Sequence, residues 1–355
     1  MIHNFNAGPS ILPKEVFEKA SEAVLNFENS GLSILEIGHR TTRFQAVVEE
    51  ATNLVKELLQ LNNEQEVLFL HGGASTQFYQ IPLNLLNGTD TAAYTETGTW
   101  SVKAIKEAKI FGNVIIAGSS KESNYTSIPK KINLTEKTNY LHITTNETIA
   151  GTQWKNIPYD CGVPLIADMS SDIFSRVLDF SKFDLIYAGA QKNMGAAGVN
   201  LVVINKNILG KVKRTIPTIL DYRNQIAEKS MMNTPPVFAI YVVLLTLRWL
   251  KKQGGVATIE KINNTKAELL YKTLDSLPIF TGVAAKEDRS TMNAVFTISD
   301  PILENEFLKI CNEENIVGIK GHRSVGGFRA SMYNALPLES VQFLSELMCQ
   351  FAEKA

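Results

Sequence analysis

The sequence predicts an α/β protein in which a mostly parallel sheet lies between two layers of helices. Along most of the chain, segments with apolar residues at helical spacing alternate with short apolar segments bounded by turn residues. Strands that alternate with helices form parallel sheets, and strands covered on both faces are apolar throughout. The chain has 355 residues, 45% of them hydrophobic and 20% charged, which is typical of a globular protein with two domains or one large one.

The predicted elements follow one another in a regular order. Two amphipathic helices come first, EVFEKASEAVLNF (15–27) and RFQAVVEEATNLVKELLQL (43–61). Seven strands follow, EVLFL (66–70), TAAYTET (91–97), NVIIAGS (113–119), NYLHITT (139–145), PLIAD (164–168), FDLIYAGA (183–190) and NLVVIN (200–205). The apolar run VFAIYVVLLTL (237–247) ends at Arg248 and is too short to cross a bilayer, so it is interpreted as a buried helix.

A Gly-Gly pair within KKQGGVATIEK (251–261) marks a predicted domain boundary. Beyond it, longer helices alternate with segments that resemble antiparallel strands, such as AVFTIS and GFRASMYN. The first fifteen or so residues, which include AGPS and a following proline, are typical of an arm lying on another domain. We therefore predict a large domain over residues 16–255 and a small domain formed by residues 1–15 and 256–355.

Charge and cysteine content exclude several classes of function. The net charge of −1 gives no electrostatic reason to expect a nucleic acid or a membrane as partner. The N-terminus lacks the basic and apolar regions of a signal peptide. The cysteines are far apart and match no metal-ligand spacing, which indicates reduced thiols in a cytoplasmic protein without a metal site: Cys161, Cys311 and Cys349.

Lys192 lies in a small-residue segment between two apolar strands, where an unpaired lysine is costly to bury. Asp168 ends the preceding strand, so both residues reach the carboxyl edge of the sheet, where open α/β sheets bind ligands. A lysine amine and an aspartate that protonates a pyridine nitrogen are the pair that a pyridoxal phosphate site requires. Taken singly, a solvated loop lysine and a helix-capping aspartate are the ordinary interpretations.

Other strand ends carry residues that suit a cofactor. HGGASTQF (71–78) places small residues at a helix start, where an anion can bind. Its spacing fits neither the Walker loop nor the dinucleotide motif G-x-G-x-x-G, and a simple tight turn is an equal alternative. Trp100 could stack on a cofactor ring or belong to the core. Thr148 could hydrogen-bond to a cofactor or be an ordinary turn residue. Asn233 and Thr234 precede two prolines, as in a helix cap, and could also contact a phosphate.

Two basic clusters begin with the tripeptide G-H-R. GHRTTRF and KGHRSVGGFRASMYN carry His39, Arg40, Arg43, His322, Arg323 and Arg329. Arginine forks bind carboxylates and phosphates with paired hydrogen bonds, whereas a solvated charged face is the ordinary interpretation of either cluster. Together the clusters suggest a substrate with two anionic ends.

Ten short motifs together resemble the phosphoserine aminotransferases, a class V family of fold-type I pyridoxal phosphate enzymes. In order along essentially the whole chain they are NFNAGPS, GHR, HGGAS, GTW, NETIAGTQW, ADMSSD, GAQKNMG, NTPP, GHRSVGG and FRASMYNA. The resemblance implies a homodimer whose subunits have a large domain and a smaller α+β domain. It implies transfer of an amino group between glutamate and 3-phosphohydroxypyruvate, and it permits activity on the phosphorylated four-carbon keto acid of pyridoxine biosynthesis.

The resemblance also implies the roles of individual residues. It makes Lys192 the Schiff-base lysine and Asp168 the partner of the pyridine nitrogen, with further cofactor contacts from Ala74, Ser75, Trp100, Thr148 and Gln191. Asn233 and Thr234 would reach the cofactor phosphate from the other subunit. Arg329 would bind the substrate α-carboxylate, and the distal anion would meet His39, Arg40, His322 and Arg323. Ser75 departs from some family members, which have arginine there.

Several alternatives stay open beside this interpretation. Another fold-type I aminotransferase, such as a serine–glyoxylate aminotransferase, is the nearest, but it would not need the paired G-H-R clusters. A cysteine desulfurase needs a mobile cysteine, whereas Cys311 and Cys349 lie in segments with a helical pattern. A cofactor-binding protein without turnover could lose the substrate arginines that this chain keeps. A nucleotide-binding oxidoreductase lacks its glycine fingerprint here.

Overall fold

The computed structural model describes all residues from 1 to 355, and its elements follow the predicted alternation. Its α-helices are α1 Lys14–Leu25, α2 Thr42–Leu58, α3 Ala74–Leu85, α4 Thr99–Ala108, α5 Tyr222–Ala227, α6 Val237–Lys252, α7 Gly255–Ser276, α8 Pro301–Glu313 and α9 Leu338–Ala352. Its strands are β1 His3–Asn4, β2 Gln65–His71, β3 Thr91–Glu96, β4 Asn113–Ser119, β5 Thr138–Thr144, β6 Asn146–Glu147, β7 Thr152–Gln153, β8 Leu165–Asp168, β9 Leu185–Gly189, β10 Val199–Asn205, β11 Phe280–Gly282, β12 Asn293–Ile298, β13 Ile316–Val317 and β14 Phe328–Ser331.

The central sheet has seven strands in the order β2-β10-β9-β8-β5-β3-β4. All neighbours are parallel except β10, which runs antiparallel to both β2 and β9. The predicted α/β fold with a mostly parallel sheet is therefore confirmed. The single reversed strand follows from the short connection after β9, which leaves no room for a crossover helix.

Helices cover both faces of this sheet, and alternate strand residues face alternate layers. Along β10, Leu201 and Val203 pack with α1, α2 and α6. Val202 and Ile204 point the other way and pack with α3, α4 and α5. None of the helices combines the length and the apolar character that a membrane span requires. The apolar run predicted as a buried helix is α6, in which every residue from Ala239 to Leu247 is buried.

A further hydrophobic core lies in the C-terminal part of the chain. Strands β11, β12 and β14 form an antiparallel sheet that packs with α7, α8 and α9. Gly254, between α6 and α7, and Gly255, the first residue of α7, have φ angles of +94° and +75°, a conformation that favours glycine. Phe5 belongs to this core, because β1 pairs with β13. The exact domain limits stay a prediction.

The N-terminal segment continues from this core across the segment that carries Lys192. The Ser10 amide donates a 3.0 Å hydrogen bond to the Gln191 carbonyl. The Tyr333 hydroxyl donates to the Ala7 carbonyl at 2.9 Å. A Cβ on Gly8 would lie 3.1 Å from Cγ of Lys192, so the backbone approaches that side chain closely. The N-terminal segment is therefore fixed against the sheet edge that carries the predicted site.

Candidate active site

A cavity of about 280 Å³ opens where β5, β8 and β9 end, at the carboxyl edge of the sheet. Its lining combines these strand ends with the starts of α3 and α4, the N-terminal segment and two residues near β14. Predicted site residues that border it are Ala74, Ser75, Trp100, Thr148, Asp168, Gln191, Lys192, His322 and Arg329. The structure thus brings together most of the residues that the sequence singled out.

Lys192 follows β9 and is partly buried, because one side of it borders the cavity. Its Nζ donates a 2.7 Å hydrogen bond to Oγ1 of Thr148 and lies 5.4 Å from the centre of the Trp100 ring. Burial lowers the pKa of Lys192 to about 8, although the carboxylates of Asp168 and Glu147 oppose this shift. A lysine with such a pKa has a substantial neutral, nucleophilic fraction near neutral pH.

Asp168 ends β8, and its side chain is almost completely buried. Burial raises the pKa of its carboxyl group. Three neighbours act in the opposite direction: Ser170, Lys192 and Tyr187. The Ser170 amide donates to Oδ1 at 2.9 Å. The arrangement presents a carboxylate that a cationic ligand nitrogen would stabilise.

The starts of α3 and α4 form another wall of the cavity. Helix α3 begins at Ala74 after Gly73, and no side chain caps it. Its first amide groups therefore favour an anion. Trp100 is the second residue of α4, and its buried indole Nε1 has no hydrogen-bond partner within the protein.

Arg329 and His322 approach the cavity from the C-terminal part of the chain. Arg329 lies on β14, and its buried Nε has no partner within the protein. Burial lowers the pKa of His322, and the nearby cations Arg329, Arg323 and Lys103 lower it further. The imidazole is therefore uncharged at neutral pH and can both donate and accept a hydrogen bond.

The remaining predicted residues lie away from this cavity within one chain. His39 and Arg40 precede α2, and Arg40 borders a different cavity with Lys56 and Lys229. Arg323 is exposed and does not border the Lys192 cavity.

The predicted phosphate residues before α6 also lie elsewhere. Asn233 borders a cavity with Tyr79, and the Thr234 carbonyl accepts a 2.7 Å hydrogen bond from Nε2 of His71. The resemblance assigns both residues to the other subunit. The roles of Asn233, Thr234 and the three basic residues outside the cavity therefore stay predictions.

Sequence reasoning missed three buried polar residues near the cavity. Glu147, next to the predicted Thr148, is fully buried and accepts a 3.1 Å hydrogen bond from the Thr97 hydroxyl. Burial raises the pKa of Glu147 to about 7. Tyr187 and His142 are also buried and belong to strands. The available signal was the alternation within each strand, which places Tyr187 and His142 on the same face of the sheet as Asp168.

The family described as Aminotransferase class-V matches residues 2–344. The chain belongs to this family. Among curated relatives, the phosphoserine aminotransferase of Flavobacterium johnsoniae is 57% identical over 347 residues, which cover 98% of this chain and 97% of the relative.

Solved structures of phosphoserine aminotransferases have the same fold over nearly the whole chain. Phosphoserine aminotransferase from Bacillus circulans subsp. alkalophilus is 44% identical, with a TM-score of 0.97 over 100% of this chain and 99% of that one. The pyridoxal-phosphate-bound phosphoserine aminotransferase from Trichomonas vaginalis is 37% identical, with a TM-score of 0.94 over 98% and 100%. The predicted fold-type I architecture is confirmed.

Proposed function

We propose that this protein is a phosphoserine aminotransferase of serine biosynthesis. It transfers an amino group reversibly from glutamate to 3-phosphohydroxypyruvate, giving O-phosphoserine and 2-oxoglutarate. The observation that carries this function is the presence of Lys192, Asp168 and Arg329 around one cavity, in a chain similar over its full length to enzymes of that name. The serine–glyoxylate alternative has no comparable support among the relatives described above.

Pyridoxal phosphate fits the residues around the cavity. Lys192 offers an amine for covalent attachment, and Asp168 offers a buried carboxylate for the pyridine nitrogen. The Trp100 indole offers a flat face for stacking, and the uncapped start of α3 at Ala74 and Ser75 offers amide groups to the phosphate. When bound, the cofactor acts as an electron sink for negative charge at the substrate Cα.

Lys192 is the acid–base group of the reaction in this proposal. Its Nζ, when not bonded to the cofactor, would take the proton from Cα of the amino-group donor and, in the second half of the reaction, would give a proton to Cα of the acceptor. A pKa lowered to about 8 supports this role, because a neutral amine is available close to neutral pH. The hydrogen bond from Nζ to Thr148 keeps the amine at the cavity wall.

Asp168 would hold the proton at the pyridine nitrogen of the bound cofactor, and the neighbours Ser170, Lys192 and Tyr187 favour its charged form. Gln191 and Thr148 add contacts to the cofactor from two further strand ends. Asn233 and Thr234 reach the phosphate from a second subunit. Their distance from the cavity in one chain supports a homodimer as the active form, and we also propose that the enzyme acts in the cytoplasm.

Arg329 binds the substrate α-carboxylate through a guanidinium whose Nε has no partner within the protein. His322 contacts the distal phosphate or carboxylate, together with Arg323, His39 and Arg40 from the loops around the shared site. Ser75 lies where some family members have an arginine that adds to the anion site. In this chain the substrate phosphate is therefore left to the four basic residues named above. The same cluster suits the phosphorylated four-carbon keto acid of pyridoxine biosynthesis as a second substrate.

The visible absorption spectrum of the purified protein tests this function. We expect a yellow cofactor band that phosphoserine bleaches at far lower concentration than serine does. A yellow band that responds equally to both amino acids would keep the cofactor and contradict the phosphate specificity. A protein without a band after addition of pyridoxal phosphate would contradict the function as a whole.

A further inference from the structure

Two buried side chains accompany Asp168 without reaching the cavity. Tyr187 lies opposite Asp168 in the pairing of β9 with β8, and His142 lies on β5, the other neighbour of β8. Tyr187 is 0% exposed and His142 is 1% exposed, and neither borders the cavity. Both point to the side of the sheet covered by α3 and α4, because alternate residues of a strand share a face.

These side chains form a series that runs from His142 through Tyr187 to Asp168. Nε2 of His142 lies 2.9 Å from the Tyr187 hydroxyl. The Tyr187 hydroxyl in turn faces the Asp168 carboxylate, which lies opposite it on the neighbouring strand β8, and this interaction favours the charged form of Asp168. The imidazole is also stacked on Tyr94, with ring centres 4.7 Å apart, so its orientation is fixed.

The unpartnered ring nitrogen of His142 sets the direction of this series. Burial lowers the pKa of His142 to about 3, so the ring is neutral and carries a single N–H. Nδ1 is buried without a partner. An unsatisfied buried N–H is rarer than an unsatisfied acceptor, so the proton belongs on Nε2 and is donated to the Tyr187 oxygen. The Tyr187 O–H is then left to donate to Asp168.

We propose that Tyr187 is a positioning residue for Asp168 and that His142 fixes the direction of the hydrogen bond that Tyr187 donates. This inference rests on the proposed function. A hydrogen bond donated to a carboxylate stabilises its charged form. Asp168 therefore remains the anion of the pair, and the proton stays on the pyridine nitrogen of the bound cofactor instead of moving to the carboxylate.

Tyr187 differs from the other titratable neighbours of Asp168, because it stays an uncharged hydrogen-bond donor during the reaction. Besides Tyr187, the titratable groups that interact with Asp168 are Lys192 and Glu147. The amine of Lys192 changes its bonding during the reaction, and Glu147 is of like charge when ionised. Burial, with the charge of Asp168, raises the pKa of Tyr187 well above its ordinary value, so its hydroxyl stays a donor throughout the working pH range.

The decisive experiment is nitrogen NMR on the holoenzyme loaded with pyridoxal phosphate labelled at the ring nitrogen. In the parent, we expect the chemical shift of a protonated nitrogen. In Tyr187→Phe, we expect a shift toward the neutral value, and a kcat lower by about tenfold with little change in KM, since one pKa unit corresponds to a factor of ten. A shift and kcat equal to the parent's would overturn the proposal.

Tyr140→Phe is the matched control. Tyr140 is as buried as Tyr187, and its hydroxyl bonds the Tyr94 hydroxyl at 2.8 Å and not Asp168. Both variants lose one buried hydroxyl, so a general effect of packing would appear in both. We expect the cofactor nitrogen and kcat of Tyr140→Phe to match the parent. Equal changes in both variants would contradict a specific role of Tyr187.

A second measurement needs no variant. In the parent labelled with nitrogen-15 histidine, we expect His142 to carry its proton on Nε2 and to remain neutral at every pH at which the protein is folded. A proton on Nδ1 would reverse the hydrogen bond and overturn the inference. An active parent with such a reversed tautomer would still support the proposed function, whereas a parent without a cofactor band would remove that function itself.

Discussion

Two lysines are withdrawn from bulk solvent, in two different cores, and they differ in what surrounds the amine. Lys192 borders the cavity at the edge of the large sheet, and Lys266 lies in the middle of α7. Burial lowers the pKa of both, to about 8 for Lys192 and about 7 for Lys266. The lowered pKa alone therefore does not distinguish a reactive lysine from a structural one.

Their hydrogen bonds explain the difference. Nζ of Lys266 donates to three backbone carbonyls at 2.9–3.1 Å, those of Met332, Tyr333 and Leu336. Three acceptors use all three protons of an ammonium group and favour its charged form, which opposes the effect of burial on the pKa. Lys266 is therefore a structural link between α7 and the segment that follows β14.

Lys192 has a different set of partners. It donates to one hydroxyl, that of Thr148, and has a cavity on its open side. Its amine can lose a proton and form a covalent bond without leaving several buried carbonyls unpaired. Access and the number of fixed acceptors, more than pKa, separate the two lysines.

The largest expected effect is that of Lys192→Ala. Without the amine, the proton at the substrate Cα has no acceptor, and we expect kcat to fall by at least about a thousandfold. Turnover is measured with glutamate and 3-phosphohydroxypyruvate, and circular dichroism checks that the variant is folded. Lys266→Met is the control, in which folded molecules should keep most of their activity. An unimpaired Lys192→Ala would contradict the role of this residue.

Asp168→Asn should have the next largest effect. The amide cannot stabilise a protonated pyridine nitrogen, so we expect kcat to fall by roughly a hundredfold or more while the protein stays folded. Steady-state kinetics on the holoenzyme measure the loss, and thermal unfolding of the same sample checks the fold. Normal activity in this variant would remove Asp168 from the reaction.

Lys266→Met should affect stability and not chemistry. The change removes the donor for three buried carbonyls, so we expect the free energy of unfolding to fall by about 3 kcal/mol. Denaturant titration measures this loss, and the kcat of the folded variant should stay within about threefold of the parent, since Lys266 does not border the cavity. A stable but inactive variant would contradict a purely structural role of Lys266.

Glu147→Gln tests the carboxylate that opposes the lowered pKa of Lys192. Burial raises the pKa of Glu147 from 4.5 to about 7, so the folded state binds a proton more tightly than the unfolded state does. Stability from this group is present at low pH and is lost as the pH rises from about 4.5 to about 7, by about 2 kcal/mol between pH 5 and pH 8. The glutamine variant lacks this loss.

The measurement is thermal unfolding of both proteins at the two pH values. The quantity compared is the melting temperature of Glu147→Gln minus that of the parent. We expect this difference to be a few degrees larger at pH 8 than at pH 5. The same difference at both pH values would indicate that Glu147 does not titrate in this range.

The sequence predicted the sheet and most of the cavity because the relevant signals are local. Lys192 and Asp168 each follow one apolar strand, and parallel strands bring their carboxyl ends to a common edge. Lys266 gave no such signal. It lies within an amphipathic helical pattern, where lysine is typical of the surface, and its three acceptors are 66 to 70 residues away in sequence.

Other parts of the site depend on interactions that no local pattern contains. Tyr187 and His142 lie in segments that the sequence predicts only as apolar strands, because their hydrogen bond joins β9 to β5 across β8. His39, Arg40, Asn233 and Thr234 were assigned by resemblance, and a single chain does not bring them to the cavity. Their proposed roles depend on a second subunit, whose position one sequence does not encode in any short segment.

The central claim, that Lys192 and not Lys266 is the reactive lysine, is tested most directly by borohydride reduction of the holoenzyme followed by peptide mapping. Reduction fixes the cofactor permanently to the amine that holds it. We predict a single modified peptide, with the cofactor mass on Lys192 and an unmodified Lys266. Modification of another lysine, or of none in a sample with the cofactor band, would contradict the assignment.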